Sequence, residues 1–145
     1  MVGLDAIPHR WVVPLLLVLF AILAIVSACM DGVTWDETIH LPAGVSYLEK
    51  GDFRLNTEHP PLAKMWAALP LLFGDQHEAY QGEAWGSAND VVFGYEMLHG
   101  PVGIAERKDS SRMLIPARIA MVLLGVLLGL VIYLWAKELW GPTGG

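Results

Sequence analysis

Two long apolar stretches interrupt an otherwise mixed chain. Residues 11–30, WVVPLLLVLFAILAIVSACM, run twenty positions without a charge. At about 1.5 Å of helix rise per residue, twenty positions reach roughly 30 Å, the thickness of a bilayer's hydrocarbon core. Pro14 falls in the first turn of this stretch, where a missing N–H costs little. Residues 119–136, IAMVLLGVLLGLVIYLWA, form a second uncharged run of eighteen. Each run predicts a transmembrane helix. A third apolar run, residues 65–73, is too short to span. Leu62, Met65, Trp66, Leu69 and Phe73 recur at helical spacing. That predicts an amphipathic helix over about 60–73 lying on the membrane, with Pro60 and Pro61 suited to its first turn. The ordinary role for Lys64 on such a helix is to snorkel, keeping its ammonium among the headgroups.

Between the spans, residues 31–118 mix polar and apolar positions. The run TWDE at 34–37 fits a capping box: Thr34 as N-cap, with Glu37 reaching back three residues later. Acids in a first turn also suit the helix dipole. A helix is predicted over about 35–50, kinked or tightened at Pro42 and ended by Gly51. Residues 76–100 read as a loop with one short helix near 91–98, and His77 and His99 as surface histidines. Residues 106–112 form a charged, solvated approach to the second span. Arg118 stands at the start of that span, placed to anchor on lipid phosphate or to bind a phosphate substrate. GVLLG at 125–129 has a spacing that lets a neighbouring helix approach closely, although glycine is common in membrane helices generally.

The fold class predicted is all-α integral membrane: two transmembrane helices flanking a long extracytoplasmic loop with interfacial helices. Residues 1–10 form a cytoplasmic N-terminus, 11–30 the first span, 31–118 the loop, 119–136 the second span and 137–145 a cytoplasmic end. Composition agrees. Hydrophobic residues make up 54% and charged residues 17%, against about a quarter charged in ordinary soluble domains. Six tryptophans add interfacial anchors. The net charge of −6 argues against nucleic acid as a partner. From residue 31 to 112 there are thirteen acids and six bases, a net −7. Arg10 precedes the first span and Lys137 follows the second, each beside tryptophan. Basic residues favour the cytoplasm, so both ends are placed inside and the acidic loop outside, in a cell (plasma or inner) membrane.

The single cysteine, Cys29, permits neither an internal disulfide nor a cysteine-based metal site. VSAC at 26–29 looks like a lipoprotein cleavage box, so an alternative reading has Cys29 lipidated and the rest outside the membrane. The apolar stretch is long for a signal core, and Arg10 is offset by Asp5.

Candidate chemistry gathers in two places. On a helix, Asp36 and His40 are four residues apart and Glu37 and His40 three, so all three share a face. Such spacing suits a divalent metal or an acid–base cluster. The cap explains Thr34 and Glu37, and only part of Asp36. Farther on, EHPPLAK at 58–64 sets His59 before two prolines, which push its backbone toward extended conformation and fix its direction. An ordinary loop-to-helix junction explains the same residues.

Taken in order, a first span, TWDE with His40, GDFRLNTEHPPLAK, an interfacial helix, FGYEML and an arginine before the next span resemble a known family. They resemble the protein O-mannosyltransferase-like and aminoarabinose-transferase-like glycosyltransferases of the GT-C fold. HPPLAK is close to the HPPLGK of protein mannosyltransferases, with Ala63 in place of glycine. The resemblance covers residues 11–141.

The resemblance implies a multi-spanning membrane enzyme that moves a sugar from a polyprenyl-phosphate donor to a protein, lipid or glycan acceptor outside the cytoplasm. Asp36 would act on the acceptor as general base, with Glu37 the second candidate catalytic residue, shaping the site or helping to hold a metal. His40, His59, Lys64 and Arg118 would bind substrate, and Lys64, Arg118 or a metal would counter the departing phosphate. A divalent metal ion, where one is used, would sit on Glu37 and His40. The family needs many more helices than this chain carries. The chain is therefore expected to be an N-terminal fragment, or a short relative completed by missing C-terminal helices or a partner subunit, and inactive alone. The competing expectation is a non-catalytic two-span membrane protein whose outer loop binds a partner or lipid carrier, with Asp36 only a cap residue.

Overall fold

The computed structural model describes residues 9–74, 78–101, 103 and 108–141. His77, Glu106 and Arg107, placed above on a surface loop and a charged approach, lie outside the described residues. The only regular secondary structure among the described residues is helical, without a strand, and its α-helices are α1 (His9–Met30), α2 (Trp35–Lys50), α3 (Pro61–Ala68), α4 (Glu83–Gly86), α5 (Asp90–His99) and α6 (Ser111–Trp140). Two helices, Trp11–Met30 and Ser111–Trp140, are long and apolar enough to cross a bilayer, which suggests a membrane protein.

The chain divides into two compact units, one of α1 to Ala28 with α6 from Val122, the other Cys29–Met121. In the first unit the GVLLG notch faces the chain's own first helix. A Cβ on Gly125 would lie 3.0 Å from the Phe20 ring, and one on Gly129 would lie 2.6 Å from Leu17. The two glycines thus let side chains of α1 seat against the α6 backbone. Leu23, Leu128 and Ile132 stand open, as suits an apolar surround.

The second unit is built around α2. Thr34 caps it as expected: its hydroxyl accepts from the Glu37 N–H, and the Glu37 carboxylate accepts from the Thr34 N–H. Gly51 ends it in the left-handed region, φ 63°, where glycine carries no Cβ penalty. Leu41, Ala43, Val45 and Tyr47 of α2 are buried, α3 packs on one side and α5 on another. Phe93, Met97 and Leu98 of α5 and Met113, Leu114 and Ala117 of α6 complete the core.

Both crossings depend on a glycine. A Cβ on Gly44 would meet the Lys64 carbonyl oxygen at 2.2 Å, and one on Gly94 the Thr38 carbonyl oxygen at 1.8 Å. The second close approach has a chemical reason. Pro42 has no N–H, so the Thr38 carbonyl four residues earlier loses its helical partner. The bare backbone of Gly94 packs over that carbonyl. α2 continues through Pro42 without a break.

Three expectations change here. The segment expected as one helix over 60–73 is α3 followed by a 3-10 turn, Leu69–Phe73. Residues 78–100 hold more than one short helix: α5 is joined by α4 and a 3-10 turn, Ala79–Gln81. Their Tyr80, Trp85 and Phe93 rings pack together, edge-on or tilted, with centroids 4.9–5.6 Å apart, a packing that periodicity over so few residues does not reveal. α6 begins eight residues before the apolar run, at Ser111, so Arg118 lies inside the helix and not at its start.

Candidate functional site

Glu37 occupies the third position of α2, fixed there by its own cap. Its carboxylate receives a two-pronged ion pair from Arg118: Nε donates to Oε1 at 2.6 Å and Nη2 to Oε2 at 2.7 Å. The same guanidinium reaches the linker before the helix. Nη1 donates to the Asp31 carbonyl at 2.8 Å and Nη2 to the Gly32 carbonyl at 2.6 Å. Arg118 therefore ties the α1–α2 linker, the first turn of α2 and α6 together. Burial alone would raise the Glu37 carboxyl. The Arg118 hydrogen bonds, with those of the Thr34 N–H and hydroxyl, outweigh it and hold the group below its usual range. Asp36, one residue earlier, is exposed, and among the described residues it has no hydrogen-bond or ion-pair partner.

A second group lies one turn along α2. His40 Nδ1 meets the Asn56 side-chain oxygen at 2.9 Å. With the amide oriented so, Nδ1 carries the hydrogen and Nε2 keeps a lone pair in the neutral ring. The His59 ring stands edge-on to His40, centroids 4.9 Å apart. The sequence places His40 and His59 nineteen residues apart in two separate constellations, and the fold joins them.

Lys64 overturns an expectation. It does not snorkel: it is 5% exposed. Nζ donates to the Asn56 carbonyl at 2.6 Å, the His59 carbonyl at 3.0 Å and the Tyr47 hydroxyl at 3.4 Å. Tyr47 in turn donates to the Leu55 carbonyl. Burial lowers the Lys64 ammonium's pKa, partly offset by the Asp90 charge. The lysine is thus an internal staple that closes the loop carrying Asn56 and His59 onto α2. Helical periodicity failed here because it assigns a face to Lys64 without knowing that a loop folds over that face.

Asn56 and Tyr47 are members of this network that sequence reasoning missed. Asn56 has φ 46°, a region that asparagine tolerates better than most residues. Its place in LNTE, after GDFR, was the only local hint. Tyr47 carries no signal, since tyrosine in an apolar helix reads as core. His99, expected at the surface, is half-buried. Its ring stacks on Tyr95 with centroids 4.7 Å apart, and its Nδ1 is buried without a hydrogen-bond partner among the described residues.

Glu37 and His40, the pair considered for a metal, belong to different contact sets: Glu37 to Arg118, His40 to Asn56 and His59. Among the described residues no group of three or more His, Cys, Asp or Glu is placed to hold a metal ion. Comparison with protein-family models, with curated proteins and with solved structures returns no match.

Proposed function

We propose that this chain is the N-terminal part of a membrane glycosyltransferase that takes sugar from a polyprenyl-phosphate donor, with its 31–118 loop outside the cytoplasm. The reading rests on the motif resemblance. The observation that carries it is the contrast between two adjacent carboxylates. Glu37 is held ionised by Arg118 and is spent on structure. Asp36 is held on the same rigid turn with its carboxylate open. Neighbouring acids whose environments differ in this way suit different roles.

In the step proposed, Asp36 accepts the proton of an acceptor hydroxyl. The acceptor oxygen forms a bond to the sugar's anomeric carbon as the bond from that carbon to the phosphate oxygen breaks. The electron pair leaves with the polyprenyl phosphate. An alcohol is a poor nucleophile near neutral pH, and a positioned base contributes roughly 10²–10⁴-fold. His40, one turn farther along α2, and the exposed His59 packed against it would contact the sugar or phosphate. Residues beyond this chain, or a partner subunit, would enclose the donor.

A second reading has a specific observation behind it. Lys64 and Arg118, the cations expected to counter a departing phosphate, both direct their donors to protein carbonyls, a hydroxyl or Glu37. That arrangement favours a structural loop that binds a carrier or partner without transfer. Asp36→Asn separates the readings. It preserves side-chain size and the Glu37–Arg118 clamp while removing the base. In membranes that contain the chain together with the helices that complete it, transfer from labelled lipid-linked sugar is expected to fall at least about 100-fold. Transfer at the full rate would remove Asp36 from the chemistry.

A further inference from the structure

The Pro61–Phe73 segment is apolar along thirteen residues, and its one charge is Lys64. With Lys64 stapled inward, the surface that the segment leaves open carries no charge. Its large exposed side chains are Leu62, 77% exposed, Leu69, Leu72, and Phe73, 94% exposed. Water is a poor neighbour for four such side chains in one thirteen-residue segment.

Two further observations say what covers them. The unit that holds the segment begins at Cys29 and ends at Met121, inside the two helices of membrane-spanning length. Its backbone is thereby continuous with those helices at both ends. The segment is also tied to the start of the second apolar run. Trp66 Nε1 donates to the Ala120 carbonyl at 2.7 Å, and Ala120 is the second residue of the uncharged stretch 119–136. That bond sets α3 at the level where α6 turns apolar. Tryptophan with its N–H on a polar group is the residue type that favours this level.

We propose that Leu62, Leu69, Leu72 and Phe73 insert into the lipid bilayer at the boundary between headgroups and acyl chains. Phe73 and the 3-10 turn lead, and Lys64 takes no part. The contact is apolar and draws nothing from lipid charge, in contrast to a snorkelling lysine, which would favour anionic headgroups. The proposal requires that the two long helices span a membrane. It does not depend on the transferase reading.

Site-directed fluorescence on the full chain in liposomes tests it. Starting from Cys29→Ser, single variants Phe73→Cys, Leu62→Cys and Glu83→Cys are labelled with an environment-sensitive dye. All three positions are exposed, so the label does not disturb the core. Labels at 73 and 62 are expected to emit at shorter wavelength than at 83. Doxyl groups high on the acyl chain should quench them more than groups at its end, since interfacial helices lie roughly 5–10 Å deep. Emission and quenching should be the same in neutral and in anionic vesicles. Three results would overturn the proposal: a label at 73 as wet as at 83, one shielded but not quenched by doxyl lipid, which would mean a protein cover, or strongest quenching at the chain end.

Discussion

Arg118 and Glu37 show how a residue with two candidate duties is assigned. An arginine before a membrane span can anchor lipid, bind phosphate or brace the fold. Here its Nε, Nη1 and Nη2 all donate inside the protein. Arg118→Ala should lower the stability of the loop unit by about 1.5–3 kcal/mol, the range for hydrogen bonds to charged groups. Arg118→Lys should recover only part of that, since an ammonium cannot reproduce a planar two-pronged pair. Thermal unfolding in detergent measures both. The pH dependence has a definite sign. The Glu37 pKa is lower in the folded chain than in the unfolded one. The unfolded state thus binds the proton first as pH falls, so this stability is full above the unfolded carboxyl value. It is lost as pH drops through the folded value. Glu37→Gln should flatten the acid limb of the Tm-against-pH curve. An unchanged limb would mean that the pair contributes nothing net.

Helix crossings set the next scale. α2 meets α3 and α5 at Gly44 and Gly94, where an added methyl would strike backbone and not a flexible side chain. In a free helix, Gly→Ala gains about 1 kcal/mol. At these two positions the sign should reverse, with a loss of roughly 1–3 kcal/mol from forced separation. Gly86→Ala, in α4 with open space around its Cβ position, is the matching control and should be neutral or mildly stabilising. Chemical denaturation of the three variants in one detergent makes the comparison. Capping and the Gly51 stop were legible in α2 because each acts within one helical turn. Lys64 was not, because its fate depends on a loop that folds over α3. The staple from Lys64 to Asn56 and His59 is made by three-dimensional closure, and periodicity carries no trace of it.

At the scale of the whole chain, two apolar helices and an acidic helical unit account for the described residues. The GVLLG spacing left open whether its glycines served packing or were incidental. Gly125 and Gly129 receive Phe20 and Leu17 of the chain's own first long apolar helix. Gly129→Ile should push Leu17 away and loosen that pair. Spin labels on α1 and α6 in nanodiscs should report a longer and broader distance distribution than in the parent chain. An unaltered distribution would show that the glycine spacing is incidental. The candidate site was half legible. Asp36, Glu37, His40 and His59 could be named from local motifs. The contrast between a paired Glu37 and an open Asp36 could not, because it depends on an arginine eighty-one residues away from Glu37.

Short-range physics in the sequence determined the two long apolar helices, the capped start and glycine stop of α2, and the excess of acid between those helices. A run of uncharged residues, a hydroxyl three positions before an acid, and a glycine at a helix end each act on neighbours along the chain. Tertiary structure decided which charges remain available. It drew Arg118 onto Glu37 and Lys64 onto the Asn56–His59 loop, left Asp36 open, and packed the His40 and His59 rings edge to face. Those choices depend on groups far apart in sequence competing for the same few hydrogen-bonding partners, and only the folded chain sets that competition.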